Sequence, residues 1–340
     1  MTRIAVDLLG GDDAPRAVVE GALLALAERP GLAVTLVGPP EVAEPLLGPA
    51  GPALRARVHL APASQAVGMD ENPARAVRAK RDATVRVAAR LVRDGAADAT
   101  VSAGSTGAAM AAALFTLGRL PGVTRPALVL PVPASAGPVV LLDVGANVEC
   151  TPDLLAQFAL AGAAYARVRL GLPAPRVGLL SVGTEPGRGD PLRRDAAALL
   201  AELPIAFVGN VEAYAVPLGG PADVVVTDGF TGNVLLKGLE GAVGAVAGML
   251  AVDLAGAVDP RVATALARAA GAFAPETHGG AVLLGVDGVA VVGHGSSSPR
   301  ALASCVAAAA SAREQGLVPK LRAAMADLVA RRRAKAGLPA

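Results

Sequence analysis

The residues best suited to chemistry stand in seven short stretches that combine glycine with small polar or acidic residues. They are GGDDAP at 10–15, SAGSTGA at 102–108, DVGAN at 143–147, SVGTEPGRGD at 181–190, VGNVE at 208–212, TDGFTGN at 227–233 and HGSSS at 294–298. Each closes an apolar run. One such stretch alone reads as an ordinary turn or helix cap, because Gly, Asp, Asn, Ser and Thr favour both. Seven of them, each at the end of a strand-like run, predict a polar site at one edge of a sheet. Ligands of open parallel sheets bind beyond the carboxyl ends of the strands.

Elimination narrows the chemistry. No GxxxxGK[ST] stretch is present, so a P-loop is excluded. The first turn, LLGGDDAP, is not GxGxxG, and its carboxylates would repel a pyrophosphate. No GxSxG elbow exists. What remains is backbone amides at helix starts beside hydroxyls, which suits a small anion such as phosphate. SAGSTGA, with Ser102, Gly104, Ser105, Thr106 and Gly107, is the first choice for that turn. GFTGN, with Asn233 and with Lys237 one helical turn on, is the second. Cys150 and Cys305 lie far apart, and His59, His278 and His294 are scattered. Neither a disulfide framework nor a metal site is expected, and no cofactor is implied.

The elements that must position these residues alternate along the chain. Apolar runs such as RIAVDLL, LAVTLVG, PVVLLDVG and RVGLLSVG are continuous rather than alternating, as strands buried on both faces are. Amphipathic segments such as ARAVVEGALLALAER separate them. This order predicts a three-layer α/β/α fold around a mostly parallel, Rossmann-like sheet. No linker divides residues 1–340, which read as a single domain. Residues 239–276 read as a helical hairpin or as a dimer- or membrane-facing element, and 298–334 as two C-terminal helices. The basic end, Arg331 to Arg333 and Lys335, reads as a solvated helix terminus or as a dock for an acidic partner.

Hydrophobic residues make up 53% of the 340 but aromatics only 2%, so Ala, Val and Leu must do the packing. A net charge of +2 does not suggest a nucleic-acid binder. Acids stand at the N-terminus where a signal peptide would carry its apolar core. The uncharged stretch Ala99–Gly118 contains Gly104 to Gly107 at its centre, so strand–turn–helix fits it better than a membrane span. A soluble cytoplasmic protein is expected.

Taken together, the motifs resemble those of the PlsX family of acyl-ACP:phosphate acyltransferases. The matching blocks are VDLLGGDDAP, MDENPARAVRAKRDAT, SAGSTGA, RPAL, LLDVGAN, GLLSVGTEPGRGD, FVGNVE, DVVVTDGFTGNVLLK, GGAVLLGVDGV and HGSS, in family order from residue 3 to about 298. The resemblance implies transfer of a fatty acyl group from acyl carrier protein to inorganic phosphate. The acyl phosphate formed is used by a membrane acyltransferase. It also implies a phosphotransacetylase-like fold, a homodimer, and weak peripheral membrane contact through the region around Gly241–Pro275. The chain departs from the family at Ser105, Pro186 and His278, where Asn, an acid and Tyr are common. It departs again at Ala213-Tyr214-Ala215, where an Arg-Asp pair is usual.

Such a reaction needs no protein nucleophile, since phosphate attacks the thioester directly and the thiol leaves easily. Arg188 or Lys237 would neutralise the phosphate, and His294 would donate to the oxyanion or the thiolate. Asp228 joins this catalytic group. Asp7, Gly10, Gly11, Asp12, Asp143, Asn147, Gly183, Thr184, Glu185, Asn210 and Asn233 are candidates for substrate binding beside the SAGSTGA residues. Asp7, Asp143, Asn147 and Asn233 equally suit caps and loop ties, and Arg188 and Lys237 suit solvated surfaces. Arg75, Arg78, Lys80 and Arg81 form a basic cluster that would receive an acidic carrier protein, or would simply face solvent. An acyl-CoA-using phosphotransacetylase-like enzyme and a non-catalytic scaffold remain alternatives.

Overall fold

A computed structural model describes residues 1–253, 259–273, 277 and 279–335. The strands are β1 (Thr2–Asp7), β2 (Leu32–Val37), β3 (Val58–Ala61), β4 (Ala99–Ser102), β5 (Ala127–Val132), β6 (Val139–Leu142), β7 (Arg176–Leu180), β8 (Ala206–Val211), β9 (Val224–Val226), β10 (Ala281–Leu284) and β11 (Val289–Val292). The helices are α1 (Arg16–Glu28), α2 (Pro40–Leu47), α3 (Pro52–Arg55), α4 (Pro73–Ala79), α5 (Thr84–Arg93), α6 (Thr106–Leu117), α7 (Pro152–Arg169), α8 (Pro191–Ala201), α9 (Gly229–Asp253), α10 (Pro260–Ala272), α11 (Pro299–Glu314) and α12 (Leu317–Lys335). All eleven strands join one sheet in the order β3-β2-β1-β4-β11-β10-β5-β6-β9-β7-β8.

Helices cover both faces, which explains the unbroken apolar runs. Along β5, Val129 belongs to the core on one face, which also holds residues of α1, α7, α11 and α12, while Leu128 and Leu130 belong to the core on the other, which also holds residues of α4, α5, α6 and α9. A strand residue always points to one face or the other, so burying both faces demands apolar residues at every position. The three-layer expectation therefore holds.

The single edge does not. β3, β2, β1, β4 and β11 run parallel to one another. So do β6, β9, β7 and β8. Between the two sets, β11–β10, β10–β5 and β5–β6 are all antiparallel. Three reversals leave the halves pointing in opposite directions. The carboxyl ends of β1, β4 and β11 open at one edge of the sheet, and those of β6 to β9 at the other. The expected convergence of seven loops on one edge is thus corrected. Apolar runs buried on both faces carry no record of strand direction.

The two sets of loops still meet, because helices bridge the face between them. The α6 helix starts at the first edge, after β4, and α9 starts at the opposite edge, after β9. They border a stretch of sheet face formed by β11, β10 and β5.

Candidate active site

At the first edge the SAGSTGA turn starts α6. Ser105 is the N-cap, its hydroxyl accepting from the Ala108 amide at 3.4 Å. The Thr106 and Gly107 amides find no acceptor among the described residues. Two open donors at the positive end of a twelve-residue helix form an anion-ready turn. Its shape depends on close approach. A Cβ at Gly10 would lie 2.6 Å from an Asp7 carboxylate oxygen and 2.8 Å from the Gly104 amide nitrogen, and one at Gly107 would lie 2.6 Å from Pro73. Gly11 has φ +121 and sits against the Gly295 carbonyl. That carbonyl also accepts from the Asp12 amide, which ties the first loop to HGSSS; the Asp12 side chain is exposed.

Beneath the turn, Asp7 and Ser102 bind each other. The Ser102 hydroxyl donates to Asp7 at 2.7 Å and accepts from the Gly104 amide at 3.2 Å. Both residues border a separate small cavity of about 10 Å³. They hold the turn from below.

His294 stands exposed in the last loop of this edge. Its Nδ1 lies 2.7 Å from the Ser296 hydroxyl and accepts from the Ser296 amide at 3.3 Å. In the neutral ring this bond pattern assigns the proton to Nε2, which becomes a donor.

At the opposite edge Asp143 is fully buried and organises its own loop. It accepts from the amides of Leu128, Gly145, Ala146 and Asn147 and from the Asn147 side chain. Burial pushes its carboxyl above the ordinary range, against these donors. Asn147 donates in addition to the Pro126 carbonyl at 2.8 Å. Both are internal ties. Asp228 caps α9 through the Thr231 amide at 2.8 Å and pairs with Arg193. Burial raises its pKa, but Thr231 and Arg193 outweigh that effect and hold it below the ordinary range. Arg193 also reaches Asp190, Thr227 and Thr231 with its side chain only 11% exposed. This arginine clamp between α8 and α9 was missed in the sequence, where Arg188 drew attention instead. Its only local signal was the Asp at 190, three residues before it.

One cleft of about 310 Å³ joins the two edges across the sheet face. Thr106 and His294 line it from the first edge, and Gly145, Asn233 and Lys237 from the second. Glu240, also in the lining, pairs with Lys237 at 2.6 Å. Other predicted residues stand elsewhere. Gly183, Thr184, Glu185 and Arg188 form a loop outside the lining, in which Arg188 is exposed and paired with Glu185 at 3.3 Å. Asn210 holds that loop through the Glu185 and Arg188 carbonyls. Asp228 is locked to Arg193 rather than turned to the cleft lining. His278 lies outside the described residues. In the basic cluster Lys80 is taken by Glu71 and the Ala66 carbonyl, whereas Arg75, Arg78 and Arg81 are exposed. Among the described residues no group of three His, Cys, Asp or Glu is placed to hold a metal.

The fold is an α/β fold similar to that of phosphotransacetylases. A phosphotransacetylase from Streptococcus pyogenes superposes with a TM-score of 0.62 at 20% identity, covering 92% of this chain and 94% of that one. A branched-chain phosphotransacylase from Enterococcus faecalis gives 0.55 at 17% identity, covering 92% and 100%. Sequence goes further than fold. The chain belongs to the family described as fatty acid synthesis protein, whose model matches residues 2–320. A phosphate acyltransferase of Myxococcus xanthus is 47% identical over 94% of this chain and 92% of its own length. One from Acidobacterium capsulatum is 45% identical over 95% and 97%. The resemblance read from the motifs is therefore met over residues 2–320.

Proposed function

We propose that the cleft transfers a fatty acyl group from acyl carrier protein to inorganic phosphate, releasing acyl phosphate and the carrier thiol. Membership of the family and relatives named phosphate acyltransferase support acyl transfer with phosphate as acceptor. The observation that carries the site is the α6 turn, whose open Thr106 and Gly107 amides share a cleft with His294 and Lys237. A phosphate oxygen attacks the thioester carbonyl, the C–S bond breaks, and the thiolate leaves on the carrier. The thiol's pKa of about 8.5 lets it leave without strong acid help. Holding the dianion and steadying the oxyanion are the tasks left to the protein. The turn binds the phosphate, Lys237 supplies positive charge, and His294 donates through Nε2 to the oxyanion.

The same reading has the chain act in the cytoplasm as a homodimer, in peripheral contact with the membrane whose acyltransferase consumes the product. Support for the membrane contact alone comes from α9, which is long and apolar enough over Gly229–Leu250 to cross a bilayer by length and composition. After Glu240 it carries no charge up to Val252, and it exposes Val246, Met249 and Val252.

Mass spectrometry of a mixture of protein, acyl carrier protein donor and phosphate should detect acyl phosphate, with acyl-CoA as the comparison donor. Thr106→Val should raise the phosphate KM by about tenfold while leaving the donor KM in place. An unchanged phosphate KM would remove the Thr106 hydroxyl from the site.

A further inference from the structure

Between its two polar rims the cleft is hydrocarbon. Strand register builds this floor. Val282 pairs with Val129, and Ala281 pairs with Val292. Leu130, Ala281 and Val292 therefore form one cross-strand row on the face that also carries Leu128. Leu236 of α9 closes the side, and all five residues line the cleft. Leu130, Val292 and Leu236 are buried, whereas Ala281, the smallest, keeps partial exposure. The row thus dips at its centre.

At the end of the dip the Cys305 thiol lies beside the buried Ser297 hydroxyl. Gly280 and Gly293 expose the Cys305 thiol to the cleft; Cβ atoms there would lie 2.9 and 3.3 Å from its sulfur. Burial pushes that thiol up to about 12, so it stays neutral and behaves as a small hydrophobe.

We propose that this trough seats the acyl chain of the donor, and that Ala281 sets the chain length accepted. The proposal rests on the acyltransferase reading above. Leu128, Leu130, Leu236, Ala281 and Val292 offer no hydrogen-bonding side-chain atom, and the thiol and the Ser297 hydroxyl stand only at the end, so the amides of a carrier's prosthetic arm would go unpaired along the floor. A saturated chain loses nothing. Its carbonyl end then lies at the rim with Thr106 and His294, where phosphate attacks, and its tail extends over the leucines.

Ala281→Leu and Ala281→Phe, assayed with hexanoyl, decanoyl and hexadecanoyl carrier protein, test the length rule. Each methylene kept out of the trough should cost about fourfold in kcat/KM. The hexadecanoyl donor should lose about tenfold or more, the hexanoyl donor about twofold or less, and the phosphate KM should stay in place. Leu236→Phe narrows the same trough from α9 and should give the same length-dependent loss. Hexanoyl turnover reports that each variant is folded. Equal losses at every chain length, or none at any, would overturn the proposal.

A binding measurement separates this outcome from failure of the acyltransferase reading. The chain contains no tryptophan. Ala281→Trp therefore places the only tryptophan of the variant in the trough, selectively excited at the long-wavelength edge of its absorption. Its emission should shift to the blue with hexadecanoyl-CoA and stay unmoved by free CoA or by phosphate. Absence of the shift overturns the trough. Absence of acyl phosphate from the unaltered protein, with the shift intact, overturns only the reaction.

Discussion

Asp7 is 4% exposed beneath the α6 turn, where the Ser102 hydroxyl and the Leu9 amide hold its carboxylate. Burial pushes its pKa above the ordinary 3.8, against hydrogen bonds from Thr84, Ser102, Leu9 and Gly10. The folded chain therefore binds this proton more tightly than the unfolded chain. The associated stability is full below 3.8 and declines as pH rises from there through the raised folded value. Asp7→Asn removes the titration. Across that window the variant should gain stability relative to the unaltered protein as pH rises, as read from urea unfolding at a series of pH values. A pH-independent difference would show that Asp7 ionises as readily folded as unfolded. Asp228 has the opposite sign, because its lowered pKa makes its contribution fade as pH falls. In the sequence, Asp7, Asp143 and Asp228 are alike: each ends an apolar run, with glycine close behind. What separates them is partners remote in sequence, Ser102 at 95 residues from Asp7 and Arg193 at 35 from Asp228. Residue type located these positions, but only the fold told ligand-facing groups from internal ties.

The start of α9 shows what an element demands of its glycines. A Cβ at Gly229 would lie 2.8 Å from the Asn147 backbone, and one at Gly232 would lie 1.9 Å from the Asp143 carbonyl oxygen. Gly229 also donates its amide to the Asn147 carbonyl at 2.7 Å. GFTGN, ranked second as an anion turn, is thus largely a packing motif that seats α9 on the Asp143 loop. Two turns on, Gly238 meets nothing within 4 Å. Gly232→Ala should destabilise the protein by about 1–3 kcal/mol through overpacking, and should lower turnover because Asn233 and Lys237 shift with the helix. Gly238→Ala should stabilise it by about 0.5–1 kcal/mol through helix propensity alone. Urea unfolding checks both; equal effects at the two sites would refute the packing argument. The elements themselves were largely legible. The stretch 298–334 folds as α11 and α12, broken at Gly316 with φ +67. Ala99–Gly118 folds as strand, turn and helix. The hairpin expected over 239–276 instead draws its first helix from Gly229, because the glycines that read as a turn sit inside that helix.

At the scale of the whole molecule, the opposed halves of the sheet decide where substrates enter. Strand direction was illegible, since an apolar run buried on both faces reads the same either way. Its consequence is a cleft open along a sheet face and bounded by α6 and α9, rather than a pocket at one edge. The basic helix α4 adjoins that opening, because Gly107 lets Pro73 of α4 press against the first turn of α6. Asn72 caps α4 at 3.0 Å, and Arg78 stacks on Phe115 of α6 with 4.4 Å to the ring centroid. Arg75, Arg78 and Arg81 are thus exposed cations on and just after α4, with Arg78 at the Phe115 end of α6. An acidic carrier docking on that face, as the proposed function would have it, would approach along α4 toward the Thr106 rim. Long-range attraction of this kind raises the encounter rate and weakens with salt. Reversing charge at Arg78 and Arg81 together should raise the carrier-protein KM by about tenfold at low ionic strength and leave the phosphate KM in place. The gap from the unaltered protein should shrink as salt is added. Steady-state kinetics with acyl carrier protein at several salt concentrations measures this, and a carrier KM indifferent to the reversal would assign those arginines to solvent.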